Sequence, residues 1–317
     1  MTPQSPRTNP YSESNQASPI SPLSWFLIFA IPAFWSVNYL IARKAPALIA
    51  PHALAFARWG LAAILLGIFA WPELKAKRHL IWAERWQALA LGMLGMWICG
   101  AWLYIAARTT PANNIALIYA LSPVFIVLAA ALLLKERVQK RQWLGVALAL
   151  VGLVHVVIHG RWSAILQTEF DVGDLWVLSC AVAWAIYSIY LKRWPSSFSP
   201  LARLVLIAAA GSLFTLPLAL LEASSGMAYS HTTLGWTTGL LVLGAAVFPS
   251  SGAYLAYGVL QKRIGASRTA LVLYLGPLYA AALAWFALGE PLHIYHAIGA
   301  AIILPGIYLA SQSKNQS

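Results

Sequence analysis

The sequence predicts an all-α integral membrane protein with ten transmembrane helices, arranged as two inverted five-helix repeats. Three observations lead to this prediction. Only 9% of the 317 residues are charged, against about a quarter in a soluble globular protein, and 60% are hydrophobic. Apolar runs of membrane-spanning length recur along the chain. The segment from Ala112 to Gly152 is echoed without a gap from Ala266 to Gly306.

A spanning helix needs roughly 20 mostly apolar residues. Runs of about this length lie near residues 23–42, 51–71, 86–106, 111–134, 142–159, 172–191, 200–221, 235–260, 266–288 and 293–311. They lack the alternating pattern of a barrel strand and exceed its roughly ten residues. The expected organisation is a disordered cytoplasmic tail over 1–22, a first repeat over 23–160, a second repeat over 171–311 and a short cytoplasmic tail over 312–317.

Paired residues at constant offsets support the duplication. Pro123 and Pro277 are 154 positions apart, as are one Glu pair and two Gly pairs, while Trp35 and Trp184 in the first helix of each repeat are 149 apart. Because each repeat contains an odd number of helices, the second must lie upside down relative to the first. The two halves are therefore expected to have opposite topologies.

The distribution of positive charge predicts the orientation. Fifteen Lys and Arg residues fall in the segments on one predicted side of the membrane and four on the other. Positively charged loops stay in the cytoplasm, so both termini are expected there. A formal charge of +12 would suggest a nucleic-acid partner in a soluble protein; here it reflects the loops, and the expected partners are the lipid bilayer and a small-molecule substrate, with no nucleic acid.

Two prolines point to a cavity at membrane depth. Pro123 cannot donate a backbone hydrogen bond and frees the carbonyl of Tyr119, and Pro277 does the same for Leu273. Such carbonyls are tolerated in the membrane where they are buried in protein or line a water-filled cavity. The substrate is therefore placed between helices 4 and 9, at a helix break that could act as a hinge. The alternative is a pair of ordinary helix kinks.

Residues three, four and seven apart share a helix face, and this spacing nominates the walls of the site. The candidates are aromatic, with a few hydroxyls and one amide, which is typical of a site for an amphipathic molecule. They are Trp35, Asn38, Trp97, Tyr104, Tyr119, Ser122, Trp184, Tyr187, Ser250, Tyr254, Tyr257 and Tyr274. A single Trp or Tyr near a helix end is alternatively an interfacial anchor.

Intramembrane charge is rare and is usually functional. No carboxylate falls at mid-membrane, whereas Arg58 lies one to two turns into helix 2 and could attract a carboxylate substrate. Snorkelling or capping of a neighbouring helix would also explain Arg58. His155 could titrate near neutral pH, although a packed neutral histidine is the simpler interpretation.

Enzyme signatures are absent from the sequence. Ser250, Ser251 and Gly252 could suggest a membrane serine protease, but no intramembrane Asp accompanies them. No Gly-rich phosphate loop or Cys/His cluster indicates a cofactor or metal site, and Cys99 and Cys180 are interpreted as small packing residues. The repeated glycines, Gly145 with Gly152 and their mates, predict close helix packing inside the bundle or between protomers.

The chain resembles the drug/metabolite transporter superfamily, in its ten-helix branch of two EamA-type repeats. The resemblance rests on Trp35, Asn38, Arg58 and both copies of the proline–glutamate–glycine run, and it covers residues 24–311. The chain is most similar to bacterial aromatic amino acid exporters. This resemblance implies export of aromatic or hydrophobic amino acids across the inner membrane by alternating access. An exporter of other small metabolites or drugs, or a non-transporting receptor or scaffold, is the alternative.

Overall fold

The computed structural model describes residues 21–110, 112–136, 138–167, 169, 171–225, 232–288 and 291–311. Throughout these ranges the regular structure is helical, with no β-strand. The tail predicted over 1–22 lies outside them except for its last two residues, and the tail predicted over 312–317 lies outside them entirely.

Besides two short 3₁₀ helices, Ala45–Ala47 and Trp162–Gln167, the described fold consists of ten helices, some of them segmented. They are α1 (Pro22–Lys44), α2 (Pro51–Ala76), α3 (Arg78–Ala106), α4 (Ala112–Tyr119 and Ser122–Leu133), α5 (Lys140–Val157), α6 (Val172–Arg193), α7 (Pro200–Ser224), α8 (Trp236–Ile264), α9 (Ala266–Ala270, Leu271–Leu275 and Gly276–Leu288) and α10 (Ile294–Ser311). Eight of them, α2 to α9, are long and apolar enough to cross a membrane. The described apolar parts of α1 and α10, Pro22–Asn38 and Ile294–Ala310, are shorter, so the predicted count of ten is confirmed for eight.

Serine, aspartate and proline define several helix starts. Ser21 and Ser199 each accept a hydrogen bond from a backbone N–H three residues on, and a proline follows each of them at the first helical position. At the start of α6, Asp171 and Asp174 form a reciprocal capping box. These side chains satisfy N–H groups that have no partner within the helix, which sets the entry point of each span.

Equivalent helices of the two halves, α2 and α7, pack side by side in antiparallel orientation. At one end the Ser199 backbone N–H donates to Glu73 over 2.8 Å, and at the other the His52 backbone N–H donates to Glu222 over 2.9 Å. Each glutamate thus caps the start of the partner helix. Glu73 and Glu222 are 149 positions apart, the offset that relates Trp35 to Trp184.

The repeated glycines hold α5 against α10. A Cβ atom added at Gly145 would lie 2.5 Å from the carbonyl oxygen of Gly306, and one added at Gly152 would lie 3.0 Å from that of Gly299. The two backbones touch, and the pairing runs antiparallel. Of the two expectations for these glycines, packing inside the bundle is therefore the one that the structure shows.

The helices that contain the repeated prolines, Pro123 in α4 and Pro277 in α9, both lose regular α-helical structure immediately before the proline. The α-helix of α4 stops at Tyr119 and resumes at Ser122, with Pro123 in its first turn. In α9 a 3₁₀ segment, Leu271–Leu275, precedes Pro277. Glu136 at the end of α4 accepts a 2.6 Å hydrogen bond from the Ser267 hydroxyl and so caps the start of α9. Its repeat mate, Glu290, lies outside the described residues.

Each repeat also contains a π-helical segment in its third helix. These segments are Met93–Trp102 in α3 and Ala246–Ala253 in α8, and their first residues are 153 positions apart. A π-helix bonds i to i+5 instead of i to i+4, which widens the turn and changes which side chains share a face. Such segments are frequent at functional sites.

Candidate functional site

Five of the predicted aromatic side chains meet at the centre of the bundle. They come from α1, α6 and α8, and they are Trp35, Trp184, Tyr187, Tyr254 and Tyr257, called here the aromatic cluster. The ring centroids of Trp184 lie 5.1 Å from Tyr257, 5.3 Å from Tyr254 and 5.5 Å from Trp35. Several of these contacts are edge-to-face, the arrangement that the quadrupoles of aromatic rings favour.

Hydrogen bonds fix two of the three tyrosines of the cluster. The Tyr254 hydroxyl donates to the carbonyl of Gly95 over 2.9 Å, and the Tyr257 hydroxyl lies 2.9 Å from the Ser188 hydroxyl. The indole N–H of Trp184, although buried, has no partner among the described residues. It is a donor that a bound molecule could use.

Arg58 lies at the centre of a second group, the arginine network, with Asn38, Tyr104 and Ser250. Its Nε donates to Ser250 Oγ over 2.9 Å, and its Nη1 donates to the Tyr104 hydroxyl over 3.0 Å and to Asn38 Oδ1 at 3.5 Å. Tyr104 in turn donates to Asn38 Oδ1 over 2.7 Å. The side chain is only 4% exposed, so it neither snorkels to a bilayer surface nor caps a helix.

The guanidinium of Arg58 has no acidic partner in the described part of the chain. The carboxylates with hydrogen bonds in the described chain contact helix ends and loops instead; they are Glu73, Glu84, Glu136, Asp171, Asp174 and Glu222. Arginine keeps its charge in proteins, and a buried charge without a counter-ion costs several kcal/mol. The arginine network is therefore well suited to bind an anion.

Trp59 connects the two groups. Its ring lies 5.0 Å under the guanidinium carbon of Arg58 and 4.7 Å from the ring of Tyr254. Trp59 is fully buried and its N–H has no partner among the residues described. A molecule bound here would thus contact the Arg58 guanidinium at one end and the rings of the aromatic cluster at the other.

A cavity of about 350 Å³ opens next to the aromatic cluster, between α6, α7 and α8. This volume is at the lower end of the roughly 300–1,000 Å³ of small-molecule sites. Tyr187 and Tyr254 border it from the cluster. Its other lining residues are Leu191, Lys192, Trp194, Pro195, Ser196, Phe198, Pro200, Arg203, Leu204, Ile207, Leu255, Gly258, Gln261 and Lys262.

A much smaller hollow, of about 10 Å³, lies at the opposite end, bordered by Ala45, Ile49, Pro51, Leu54, Tyr104 and Arg108. It has room for about one water molecule. Its lining matches that of the large cavity through the repeat: Pro51 corresponds to Pro200 and Leu54 to Arg203 at the offset of 149, and Arg108 corresponds to Gln261 at 153. Of these two equivalent places, the one at the start of α7 opens into the large cavity, and the one at the start of α2 is nearly closed.

Comparison with known proteins identifies the family. The model of the EamA-like transporter family matches the chain twice, over residues 23–158 and 171–312. The chain belongs to the EamA-like transporter family. It is therefore a multi-pass membrane transporter of the drug/metabolite type.

Curated relatives of this EamA-like transporter share about a quarter of its residues. The uncharacterized transporter YyaM of Bacillus subtilis is 26% identical over 90% of this chain and 93% of its own length. A probable amino-acid metabolite efflux pump of Salmonella typhimurium is 26% identical, with the same shares covered. A probable terminal-alkyne amino-acid exporter of Streptantibioticus cattleyicolor is 27% identical over 64% of this chain and 65% of its own.

A solved crystal structure supports the fold of the EamA-like transporter. It superposes with a TM-score of 0.72 at 21% sequence identity, over 92% of this chain and 98% of the other. This likeness concerns the fold alone.

Several predicted residues of the EamA-like transporter lie away from the cavity. The lining of the large cavity comes from α6, α7, α8 and the α6–α7 link. The cavity therefore does not lie between the breaks at Pro123 and Pro277, where a hollow was expected. The reason is that α4 and α9 are held together by the Glu136 cap and pack closely. Tyr119 packs beside Ile118, while Ser122 and Tyr274 are fully buried; the hydroxyls of Ser122 and Tyr274 lack partners in the described ranges.

Trp97 also departs from its predicted position. Its ring stacks on Phe214 of α7, with centroids 6.3 Å apart and planes 11° apart, and it contacts Trp102 at 5.6 Å. The expectation that Trp97 and Tyr104 share a face assumed regular α-helical spacing. Because Met93–Trp102 is π-helical, residues seven apart no longer align, and only Tyr104 reaches the arginine network.

Sequence reasoning missed three contributors to the site: Trp59, Gly95 and Ser188. Trp59 follows Arg58 directly, and Ser188 follows Trp184 by one helical turn, so both signals were present in the spacing. Pro249 marks the π-helical segment of α8 in the same way that Pro123 marks the break in α4. Among the described residues, no group of three or more His, Cys, Asp or Glu side chains could hold a metal ion.

Gly95 makes room for the Tyr187 ring, and Gly95→Ala should disturb the cluster. An added Cβ would lie 2.8 Å from two ring carbons of Tyr187, whose buried ring stacks on Trp184. Overpacking of this kind costs about 1–3 kcal/mol. We expect a lower melting temperature and about tenfold slower substrate uptake by liposomes containing the variant. Gly239→Ala, with nothing within 4 Å, is the matched control and should behave as the parent; equal behaviour of the two variants would contradict this role.

Proposed function

We propose that this EamA-like transporter exports amino acids with aromatic or other hydrophobic side chains across the bacterial inner membrane. The observation that carries the proposal is Arg58, a buried cation without an acidic partner in the described chain, which Trp59 connects to the aromatic cluster. The carboxylate of the substrate would bind Arg58, since guanidinium groups match carboxylates in bidentate geometry. The side chain would pack among the rings of the aromatic cluster.

The two hollows support transport by alternating access. The open cavity lies at the end that carries Lys192 and Lys262, which the charge distribution assigns to the cytoplasm together with both termini. Tyr254 borders this cavity and contacts Trp59, which lies under Arg58. A substrate entering from the cytoplasm therefore passes Tyr254 to reach Arg58. Opening of the small hollow at the other end, with closure of the large one, would release it outside.

The antiparallel pairs support ten helices in two inverted repeats. Both α2 with α7 and α5 with α10 pair equivalent helices in opposite directions. In this arrangement α1 and α10 are the remaining two spans. The breaks at Pro123 and Pro277 would then act as hinges when the halves rearrange.

The names of two relatives agree with an amino-acid substrate. One is named as a probable amino-acid metabolite efflux pump and another as a probable terminal-alkyne amino-acid exporter. Other small metabolites or drugs are the competing cargo. A buried cation beside aromatic rings favours carboxylates over cationic drugs, because burying two like charges together is unfavourable.

A substrate panel tests this function. Liposomes containing the protein and preloaded with labelled phenylalanine should exchange it faster than labelled phenylalaninamide, which lacks the carboxylate, or an equal-sized sugar. Empty liposomes provide the background rate. Equal rates for the three compounds would contradict the proposal.

A further inference from the structure

The route from the cavity mouth towards the aromatic cluster is positively charged. Lys192 and Lys262 are exposed at the ends of α6 and α8 and border the cavity, and Arg203 forms part of its wall. No Asp or Glu is present among the described residues that line it. A cleft lined by one sign of charge raises the local concentration of ions of the opposite sign.

The position of Arg203 is fixed by the backbone around it. Its Nη1 donates to the carbonyl of Leu191 over 2.8 Å and its Nη2 to that of Trp194 over 2.9 Å. Both carbonyls lie at the end of α6, where they lack partners within the helix. Glu84 of α3 accepts hydrogen bonds from Ser196 and Ser197 of the adjoining link, and it acts on Arg203 only at longer range, without an ion pair. Arg203 therefore forms part of the cavity wall without an ion pair to a described carboxylate.

The inner end of the route, at Arg58, likewise carries positive charge without an acidic side chain. Around Arg58 the side-chain oxygens already accept hydrogen bonds: Ser250 Oγ accepts one, and Asn38 Oδ1 accepts from both Arg58 and Tyr104. No described acid lies there to pair with an ammonium group. Three contacts of the aromatic cluster are near perpendicular: Trp35 with Trp184, Trp35 with Tyr254, and Trp184 with Tyr254. In each of them the edge of one ring covers part of a face that a cation would use.

We propose that the preferred substrates are net anions: hydrophobic amino acids whose amine is acylated, or related carboxylates that carry no cationic amine. This inference rests on the proposed carboxylate contact with Arg58 and narrows its substrate class. A carboxylate satisfies the unpaired guanidinium. An ammonium group of a free amino acid would be buried without a counter-charge, which is unfavourable.

Three probes with the same ring separate this inference from the proposed function. They are N-acetylphenylalanine (carboxylate, neutral amide), phenylalanine (carboxylate, ammonium) and phenylalaninamide (ammonium only). In liposome uptake, N-acetylphenylalanine should show a KM about tenfold or more below that of phenylalanine. A KM for phenylalanine equal to or below that for N-acetylphenylalanine, with no uptake of phenylalaninamide, would overturn the inference but leave the proposed function standing. Uptake of phenylalaninamide as fast as both carboxylates would reject the proposed function itself.

Variants of the cavity mouth test the contribution of its charge. At low salt, Lys192→Gln and Lys262→Gln should each raise the KM for N-acetylphenylalanine by about two- to fivefold. The difference from the parent should vanish at about 1 M salt, where charges are screened within roughly 3 Å. Lys140→Gln is the matched control, because Lys140 is exposed on the same predicted side and does not line the cavity. An equal KM for all three variants at low salt would contradict the inference.

Discussion

Replacing Arg58 with glutamine should reduce phenylalanine transport by about a hundredfold without destabilising the protein. Removing one partner of a buried charged contact costs about 2–5 kcal/mol in binding, and 2.7 kcal/mol is about a hundredfold. The folded protein, in contrast, loses a buried cation whose described partners are neutral oxygens of Asn38, Tyr104 and Ser250. Glutamine can keep some of these hydrogen bonds, so the melting temperature should stay equal or rise.

Arg58→Lys is the control variant that separates the effect of the positive charge from the effect of the guanidinium geometry. Lysine keeps the positive charge but loses the planar fork that holds Ser250 and Tyr104 together. Transport by this variant should lie between those of the parent and Arg58→Gln. A glutamine variant that transports normally, or one that loses transport only because it unfolds, would contradict the assigned role.

Replacing Gly145 with valine should largely prevent the protein from folding. An added Cβ would lie 2.5 Å from the Gly306 carbonyl oxygen, 2.6 Å from the Ala310 nitrogen and 2.7 Å from the Ala310 Cβ. Two of these atoms belong to the backbone and cannot rotate away, so α5 and α10 would have to separate along their length. We expect little monodisperse protein after extraction in detergent, as measured by size-exclusion chromatography.

Gly239→Val is the matched control for this packing. Gly239 lies in a membrane-length helix, α8, and nothing lies within 4 Å of an added Cβ there. It should yield folded protein at the parent level. Normal yield from Gly145→Val would show that the contact between α5 and α10 is dispensable.

The sequence predicted well those features that depend on local pattern and on the repeat. Trp35 with Asn38 and Trp184 with Tyr187 were paired by α-helical spacing, and their side chains lie in the aromatic cluster or the arginine network because α1 and α6 are regular there. The glycine pairs at the offset of 154 correctly indicated close packing. These inferences needed only the helix period and the duplication.

The remaining features depend on contacts between distant parts of the chain. Arg58 and Ser250 are 192 positions apart, and no spacing rule connects them. The π-helical turn in α3 rotated Trp97 away from the face that an α-helix would give it. The location of the cavity depends on which of two equivalent ends is open, and two repeats of similar sequence do not decide that.

The most direct test of the account is a binding cycle between Arg58 and the substrate carboxylate. The affinities of phenylalanine and phenylalaninamide are measured by calorimetry for the parent protein and for Arg58→Gln. We expect the parent to bind phenylalanine about a hundredfold more tightly than phenylalaninamide and the variant to show no preference. A variant that still distinguishes the two compounds as the parent does would contradict it.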